Sequence, residues 1–264
     1  MNAATNARLS ELDGSLDAQE LSPALADELF AVVDLLSAQA SLRNAMSDPT
    51  APDSARRSLA TNVLTGRVSQ PATMVVAAAA GLNWGSGAGL GAALERQAVR
   101  TLIGLAQRAG QLDVLEDELF RFARIVDADP ALRAAVSDRS VPLADRQQIV
   151  SDLLGSKVLP ASLALARRAV AGEYRTFDLT IEAYLTRAAE ARQRAIAQVT
   201  VARPLTEEQA QRLKKALSSQ VGREVTLQVV VDPAVMGGVR VQVGDEVIDG
   251  TVSNRLASAE RQLN

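Results

Sequence analysis

The chain contains an internal repeat, in which one stretch of sequence recurs about ninety residues further on. The tetrapeptide Asp-Glu-Leu-Phe occurs at 27–30 and again at 117–120. A gapless alignment of residues 25–78 with residues 115–168 gives 15 identities. They include a proline pair and an arginine pair: Pro52 with Pro142, and Arg56 with Arg146. A shared bias toward Ala and Leu does not explain these identities. We therefore expect a duplicated structural unit.

Apolar residues in the first three quarters of the chain recur at the spacing of an α-helix. Steps of three and four residues place them on one helix face. They form three clear sets: Leu25, Leu29, Val32 and Leu36; Leu112, Leu115, Leu119, Phe122 and Val126; and Phe177, Ile181, Tyr184 and Ala188. Aromatic residues make up only 3% of the chain, so its core must consist mainly of Ala, Leu and Val. We predict a helical domain over residues 1–192, with the two copies at about 25–78 and 115–168.

The pattern changes over residues 193–264, where apolar and polar residues alternate. Three segments have the period-2 pattern of β-strands: 197–201, 225–231 and 239–243. Thr206 and Gln209 have the spacing of a capping box that starts a helix. Further on, the sequence indicates a Gly244-Asp245 turn, a strand at Val247-Ile248 and a final helix with Val252, Leu256, Ala259 and Leu263 on one face. The predicted fold is mainly α, with a small C-terminal α/β domain of order β-α-β-β-β-α.

The composition excludes several classes of function. The chain has no Cys and no His, which removes Cys nucleophiles, Ser-His-Asp triads and the common zinc sites. Its net charge of −3 is the opposite of the basic balance typical of nucleic-acid binders. No apolar run is long enough to span a bilayer, and the polar N-terminus has no signal-peptide pattern. We expect a protein without cofactor or metal, on the cytoplasmic side of the membrane.

Two clusters suggest chemistry but have simpler explanations. Gly87, Gly89 and Ala92 fit the G-x-G-x-x-A pattern of dinucleotide-binding loops. That fingerprint requires a preceding strand, whereas this segment follows an Ala-rich stretch without strand periodicity. Asp245, Glu246 and Asp249 could suggest a cation site, but a polar hairpin turn and a helix N-cap account for them. A nucleotide-binding enzyme that uses the loop near Gly87 remains one alternative, and a helical adaptor of another kind remains a second.

The most specific motif lies near the C-terminus. Its members are an Asp-Pro pair, two glycines, a Gly-Asp turn and an Asp-Gly pair: Asp232, Pro233, Gly237, Gly238, Gly244, Asp245, Asp249 and Gly250. This stretch resembles the C-terminal signature of the delta subunit of bacterial F-type ATP synthases, whose mitochondrial counterpart is the oligomycin-sensitivity-conferring protein. The resemblance extends over roughly residues 113–263. The chain is about ninety residues longer than usual members and resembles the extended actinobacterial type.

The resemblance implies a non-catalytic component of the peripheral stalk. In that family the helical domain binds the alpha subunits of the catalytic head, and the C-terminal domain binds the b subunit. The assembly keeps the head from rotating during proton-driven ATP synthesis. The resemblance thus implies a peripheral subunit at the cytoplasmic face of the cell membrane, with alpha and b subunits as partners, no nucleic acid and no cofactor. The extra length is expected to be the tandem copy within the helical domain.

Overall fold

The computed structural model describes residues 3–171, 176–192, 195–221, 225–232, 238–243 and 246–249. Contacts between residues divide the chain into two compact units, Met1–Ala189 and Glu190–Asn264. Helices make up the first unit, and the second contains a four-stranded sheet with a helix. The predicted fold class, mainly α with a small α/β part, is confirmed.

The helices of the first unit follow one another through short connections. They are α1 (Ala3–Asp17), α2 (Pro23–Ala38), α3 (Ala40–Ser47), α4 (Asp53–Leu64), α5 (Gln70–Gly81), α6 (Gly87–Arg108), α7 (Leu112–Ala128), α8 (Pro130–Ser137), α9 (Leu143–Leu154), α10 (Pro160–Ala169) and α11 (Phe177–Arg192). The three apolar sets identified in the sequence lie on α2, α7 and α11, and their side chains are buried. Leu, Val and Ala supply most of this core, as the low aromatic content requires.

The helix boundaries follow the spacing of the sequence repeat. The bounds of α3 and α4 fall ninety residues before those of α8 and α9. Likewise, α2 corresponds to α7 and α5 corresponds to α10. The helix between the two sets, α6, begins ninety residues before α11. We call α2 to α5 the first helix set and α7 to α10 the second, so that α6 follows the first set as α11 follows the second.

One buried arginine makes matching hydrogen bonds in each set. Arg56 in α4 and Arg146 in α9 are both buried. Each donates to a carbonyl in the loop before its own helix and to one at the end of the set: Ala51 and Ala80 accept from Arg56, and Val141 and Val170 accept from Arg146. A buried cation must have its donors satisfied. In each set the arginine therefore joins its own helix to the loop before that helix and to the end of the set.

A glutamate on the first helix of each set binds the start of the fourth. Glu28 in α2 accepts a hydrogen bond from the Ser69 N–H at 3.0 Å, and Glu118 in α7 accepts one from the Leu159 N–H at 2.9 Å. Ser69 and Leu159 immediately precede α5 and α10. The first N–H groups of a helix lack partners within the helix, and a carboxylate there also faces the positive end of the helix dipole. These contacts therefore stabilise both helix starts.

The second unit is a mixed sheet covered on one face by a helix. Its elements are β1 (Ala195–Val201), α12 (Glu207–Val221), β2 (Val225–Val231), β3 (Val239–Val243) and β4 (Glu246–Asp249), and the strand order is β2-β1-β3-β4. β1 is parallel to β2 and antiparallel to β3. A parallel pair requires a crossover connection, which α12 provides. Leu217 of α12 packs in the core with Val199, Val225 and Val241.

The predicted capping box is confirmed at the start of α12. The Gln209 N–H donates to Thr206 Oγ1 at 3.3 Å, and the Thr206 N–H donates to Gln209 Oε1 at 2.9 Å. β3 and β4 form an antiparallel pair in which Val243 lies opposite Glu246. The predicted Gly244-Asp245 turn and the predicted final helix lie outside the described residues.

Candidate interaction sites

Three residues of the C-terminal motif lie within the described part of the chain, at one end of the sheet. The Asp232 N–H donates to the Val201 carbonyl at 2.9 Å, which extends the contact between β1 and β2. Gly238 directly precedes β3, whose first residue pairs with Val201. Asp249, at the end of β4, lies opposite Arg240 of β3. The other motif residues lie outside the described ranges: Pro233, Gly237, Gly244, Asp245 and Gly250.

Gly238 has a backbone conformation that favours glycine, with φ of +85°. Replacing it with alanine would place a Cβ against the backbone in the left-handed region, at a cost of about 1–2 kcal/mol. We expect Gly238→Ala to raise the rate of amide hydrogen exchange in β1 and β3 about 5- to 30-fold. Gly14→Ala is the control, because Gly14 lies inside α1 with open space around it. Unchanged exchange in β3 would contradict this account of Gly238.

The Gly-rich segment is not built as a dinucleotide-binding loop. Helix α5 precedes it where the fingerprint requires a strand. Ser86 caps α6, and its Oγ accepts from the Gly89 N–H at 3.1 Å. A Cβ on Gly89 would lie 2.6 Å from the Trp84 carbonyl oxygen, and one on Gly87 would lie 2.6 Å from Arg43 Cγ. These glycines therefore permit close packing, which removes the structural basis for the nucleotide-binding alternative.

A groove of about 270 Å³ runs over α6. Its floor is a helical stripe of α6 in which three small residues, Gly89, Ala92 and Ala93, lie beside Glu95, Arg96 and Val99. One wall comes from Thr5 and Leu9 of α1, the other from residues of α11 that include Ala183 and Tyr184, and Trp84 also lines the groove. Trp84 is held in place by its indole N–H, which donates to the Ala79 carbonyl at 2.8 Å. Small floor residues between two helices allow a third helix or an apolar side chain to approach closely.

A buried cation joins the two helix sets beside this groove. Arg168 of α10 is only 4% exposed, and its Nη1 lies 2.5 Å from Asp34 Oδ1 of α2. Its guanidinium carbon lies 5.0 Å from the ring centroid of Phe30, also on α2. Arg168 Nε is 3.5 Å from Glu95 Oε1 of α6, which also accepts from the Tyr184 hydroxyl at 3.0 Å. We call these five residues the Arg168 clasp.

The ionisable groups of the Arg168 clasp shift one another's pKa values. Burial on its own would lower the pKa of Arg168, but the carboxylates of Glu95 and Asp34 raise it above its ordinary value. Burial, together with the negative charge of Glu95, raises the pKa of Tyr184 well above its ordinary value. The arginine is therefore charged and the tyrosine neutral across the physiological range. The clasp is a fixed ionic contact between α2, α6, α10 and α11.

A second polar cluster attaches α1 to α6. Asp13 accepts hydrogen bonds from Arg96 and from Gln97, the latter at 2.9 Å, and Arg100 Nη1 lies 2.9 Å from the same carboxylate. Burial on its own would raise the pKa of Asp13, but these hydrogen bonds and cations lower it below its ordinary value. A lowered carboxyl pKa adds stability that is present above the unfolded-state pKa of about 3.9 and is lost as the pH falls through the folded-state pKa.

We expect Asp13→Asn to be less stable than the parent chain at pH 7, because it loses the charge that pairs with two arginines. The difference should shrink as the pH falls below about 4 and through the lowered folded-state pKa of Asp13, where the parent carboxylate also becomes neutral. Urea unfolding, followed by the fluorescence of Trp84, the single tryptophan, measures the free energy of unfolding of the variant and the parent at each pH. Asp17→Asn is the control, since Asp17 is more exposed than Asp13 and its carboxylate pairs with Arg100 at 3.1 Å. A difference independent of pH would contradict the role of the charge.

Sequence reasoning identified none of the residues in these two clusters as interacting pairs. Asp13 and Arg96 are more than eighty residues apart, and Asp34 and Arg168 more than one hundred and thirty. No short motif marks either pair. The one signal in the sequence was the loss of repeat symmetry: Asp34 corresponds to Arg124, and Arg168 corresponds to Ala78. Residues that break a repeat are candidates for contacts between its copies.

The comparisons with known proteins agree on one family. The family model described as ATP synthase delta (OSCP) subunit matches residues 98–263. Proteins named ATP synthase subunit delta are similar along nearly the whole chain. The one from Streptomyces avermitilis is 41% identical, covering 98% of this chain and 96% of its own, and the one from Cutibacterium acnes is 40% identical, covering 96% of each. The one from Kineococcus radiotolerans is 42% identical, covering 90% of this chain and 86% of its own.

Among solved structures, a chain of the Toxoplasma gondii mitochondrial ATP synthase hexamer is also similar to this chain. It is 19% identical, with a TM-score of 0.27, and the match covers 62% of this chain and 94% of that one. The family match begins within α6 and includes α7 to α11 and the sheet unit. The first helix set, α2 to α5, lies before it, whereas the curated relatives extend over both sets.

Proposed function

The chain belongs to the ATP synthase delta (OSCP) subunit family, and we propose that its helical unit binds the alpha subunits of the catalytic head while its C-terminal unit binds the b subunit. Members of this family are non-catalytic stator components of the peripheral stalk. The observation that carries the proposal is the family match, which includes helices of the first unit and the whole described sheet. A link between two partners needs two binding surfaces, and two compact units can provide one each.

The buried charged side chains of the first unit serve the packing of its helices. Among the described residues, no group of acidic side chains is placed to hold a metal ion. The buried charges pair with each other or with backbone carbonyls and hold helices together. A stator must resist torque, and rigid contacts between helices serve that purpose better than mobile loops. Exposed apolar side chains lie on both units, including Met74 on α5, Leu179 on α11 and Val231 on the edge strand β2.

The groove over α6 is the site that we propose for a helix of the alpha subunits. Partner helices dock through apolar side chains at helical spacing, which requires a shallow trough with small residues at its floor. The stripe that contains Ala92 and Ala93 provides this floor, and Leu9 and Tyr184 provide apolar walls. Three charged residues also line the groove, Glu95, Arg96 and Arg187, and the first two pair with side chains of this chain.

The proposed location is the cytoplasmic face of the cell membrane, where the chain would be held through the b subunit. No helix in the part of the chain that the structure describes is both long enough and apolar enough to cross a bilayer. The proposal predicts that the chain leaves the membrane fraction when the b subunit is removed.

The decisive experiment uses inverted membrane vesicles from a strain that lacks this chain. Added purified chain should restore proton-driven ATP synthesis, and a chain ending at residue 192 should bind the isolated catalytic head without restoring synthesis. Ala92→Trp fills the groove at an exposed position and should weaken binding to the head at least tenfold. Ala128→Trp is the matched control, an exposed alanine on α7 away from the groove. Restored synthesis by the truncated chain, or equal binding by both tryptophan variants, would contradict the proposal.

A further inference from the structure

The two edges of the sheet in the second unit differ in character. Among the described strands, β4 forms one edge; it has four residues, and two of them are acidic, Glu246 and Asp249. β2 forms the other edge; its seven residues, Val-Thr-Leu-Gln-Val-Val-Val, include no charge and no proline. Short length, charge and proline are devices that keep an edge strand from pairing with another chain. β4 has two of these devices, and β2 has none of the three.

The last three residues of β2 expose apolar side chains on both faces of the sheet. Val229, Val230 and Val231 are 40%, 39% and 45% exposed. They are the exposed large apolar side chains in the described part of the second unit. Side chains alternate along a strand, so Val229 and Val231 lie on the same face as α12 and Val230 on the opposite face. A helix docked on one face would cover at most two of them, whereas a strand added beside β2 contacts all three.

The backbone of β2 presents hydrogen-bonding groups at this edge. The Asp232 N–H donates to the Val201 carbonyl of β1 at 2.9 Å. Backbone groups alternate between the two sides of a strand, so the even-numbered residues of β2 face β1 and the odd-numbered ones face away from it. Val229 and Val231 therefore present their N–H and C=O groups at the edge, where no described residue bonds to them. An edge of this kind is a template for another strand.

We propose that the edge of β2 at Val229 and Val231 binds an extended, uncharged segment of a partner subunit, which adds a strand to the sheet. In strand addition, backbone hydrogen bonds supply affinity, and alternate side chains make contacts on each face. The outward backbone groups of these two residues provide the hydrogen bonds, and the three exposed valines provide the side-chain contacts. Val, Ile or Thr in the incoming segment would pair well with valine across the strands.

A second copy of this chain fits the edge less well than a different polypeptide. In a symmetric antiparallel pair, the C-terminal half of one β2 would lie opposite the N-terminal half of the other. In that half, Val225 is fully buried, and its N–H already donates to Ser218 Oγ of α12 at 3.0 Å. The exposed valines of each copy would therefore meet a part of the strand whose backbone is in use. A separate segment can pair with the exposed half alone.

This inference rests on the proposed function, because it takes the incoming segment to belong to the subunit that binds the C-terminal unit. It adds the surface and the form of the contact, which is a strand on a sheet edge. The contact lies wholly within the second unit, so it is independent of the groove over α6. The experiments therefore use the full chain with a membrane part that contains no catalytic head.

The first test measures binding of the full chain to membrane vesicles that lack this chain and have been stripped of the catalytic head. Val229→Pro removes an outward N–H and no hydrogen bond to β1, and proline is tolerated at such an edge position. It should weaken binding at least about tenfold, because an acceptor on the incoming strand loses its donor. Val229→Thr keeps the N–H and the branched shape, so it should bind within about threefold of the parent chain.

Three outcomes of this test would count against a proposal. Parent-like binding by Val229→Pro would overturn the inference. Equal weakening by Val229→Thr and Val229→Pro would show apolar docking without strand pairing and would also overturn it. Failure of the parent chain to bind these vesicles would instead contradict the proposed function.

The second test needs no substitution and measures amide hydrogen exchange in the free chain and in the assembled complex. The amides of Val229 and Val231 should exchange at least about tenfold more slowly in the complex, because strand addition gives them acceptors. The amide of Val230 faces β1 and is the internal control, with slow exchange in both states. Unchanged exchange at Val229 and Val231 on assembly would overturn the inference. Protection in the free chain that rises with its concentration would identify a second copy as the occupant and overturn the assignment to a partner subunit.

Discussion

Arg56→Ala is expected to lower the free energy of unfolding by about 3–5 kcal/mol, because it leaves several carbonyl groups without their donor. Arg56 donates to the carbonyls of Ala80 and Gly81 at 2.8 Å each, and to those of Asp48 and Ala51. The side chain is 6% exposed, so water does not replace it freely. The loss includes the space left by a large buried side chain as well as the hydrogen bonds.

The adjacent residue provides the control for this variant. Arg57 is only partly buried and makes one long ion pair with Glu11, at 3.8 Å, so Arg57→Ala should change stability by less than about 1 kcal/mol. Arg56→Lys should recover only part of the loss, because an ammonium group cannot reach carbonyls on several sides as a planar guanidinium does. Urea unfolding followed by Trp84 fluorescence measures all three variants. A loss for Arg57→Ala equal to that for Arg56→Ala would contradict this explanation.

The repeat extends the same expectation to the second helix set. Arg146→Ala should also destabilise the chain, since Arg146 donates to the Val170 carbonyl at 2.5 Å and to Val141 at 3.2 Å. Within the described residues Arg146 has three carbonyl acceptors, at longer distances on average than the four of Arg56, so we expect a smaller loss. The identity of Arg56 and Arg146 in the sequence repeat thus reflects a shared structural requirement. The sequence showed the identity, and the structure shows the hydrogen bonds that account for it.

The sequence predicted those features that depend on neighbouring residues. Helix and strand periodicity is local, and the same is true of the capping box at Thr206 and Gln209, so these predictions are confirmed. Contacts between distant helices are not local, and neither the Arg168 clasp nor the groove over α6 was predicted. The pairing of Asp34 with Arg168 depends on how two copies of one unit pack, which periodicity does not specify.

Arg168→Ala is expected to cost about 2–4 kcal/mol, because it removes a buried cation and leaves the Glu95 carboxylate without its cation. Glu95 is partly buried and Tyr184 donates to it, whereas Asp34 is half exposed and can be solvated, which limits the loss. Phe30 also loses the guanidinium above its ring. Arg167→Ala, an exposed neighbour on the same helix, should have little effect.

A second change separates the charge of the clasp from its packing. Glu95→Gln in the Arg168→Ala background removes the unpaired carboxylate and should recover part of the lost stability, whereas Glu95→Gln alone should destabilise the parent chain. This sign reversal is the signature of a coupled ion pair. Because the clasp joins α2 to α6 and α10, amide exchange in α2 should also increase in Arg168→Ala. Additive effects of the two changes, with α2 unaffected, would show that Arg168 contributes packing alone and does not hold the two helix sets together.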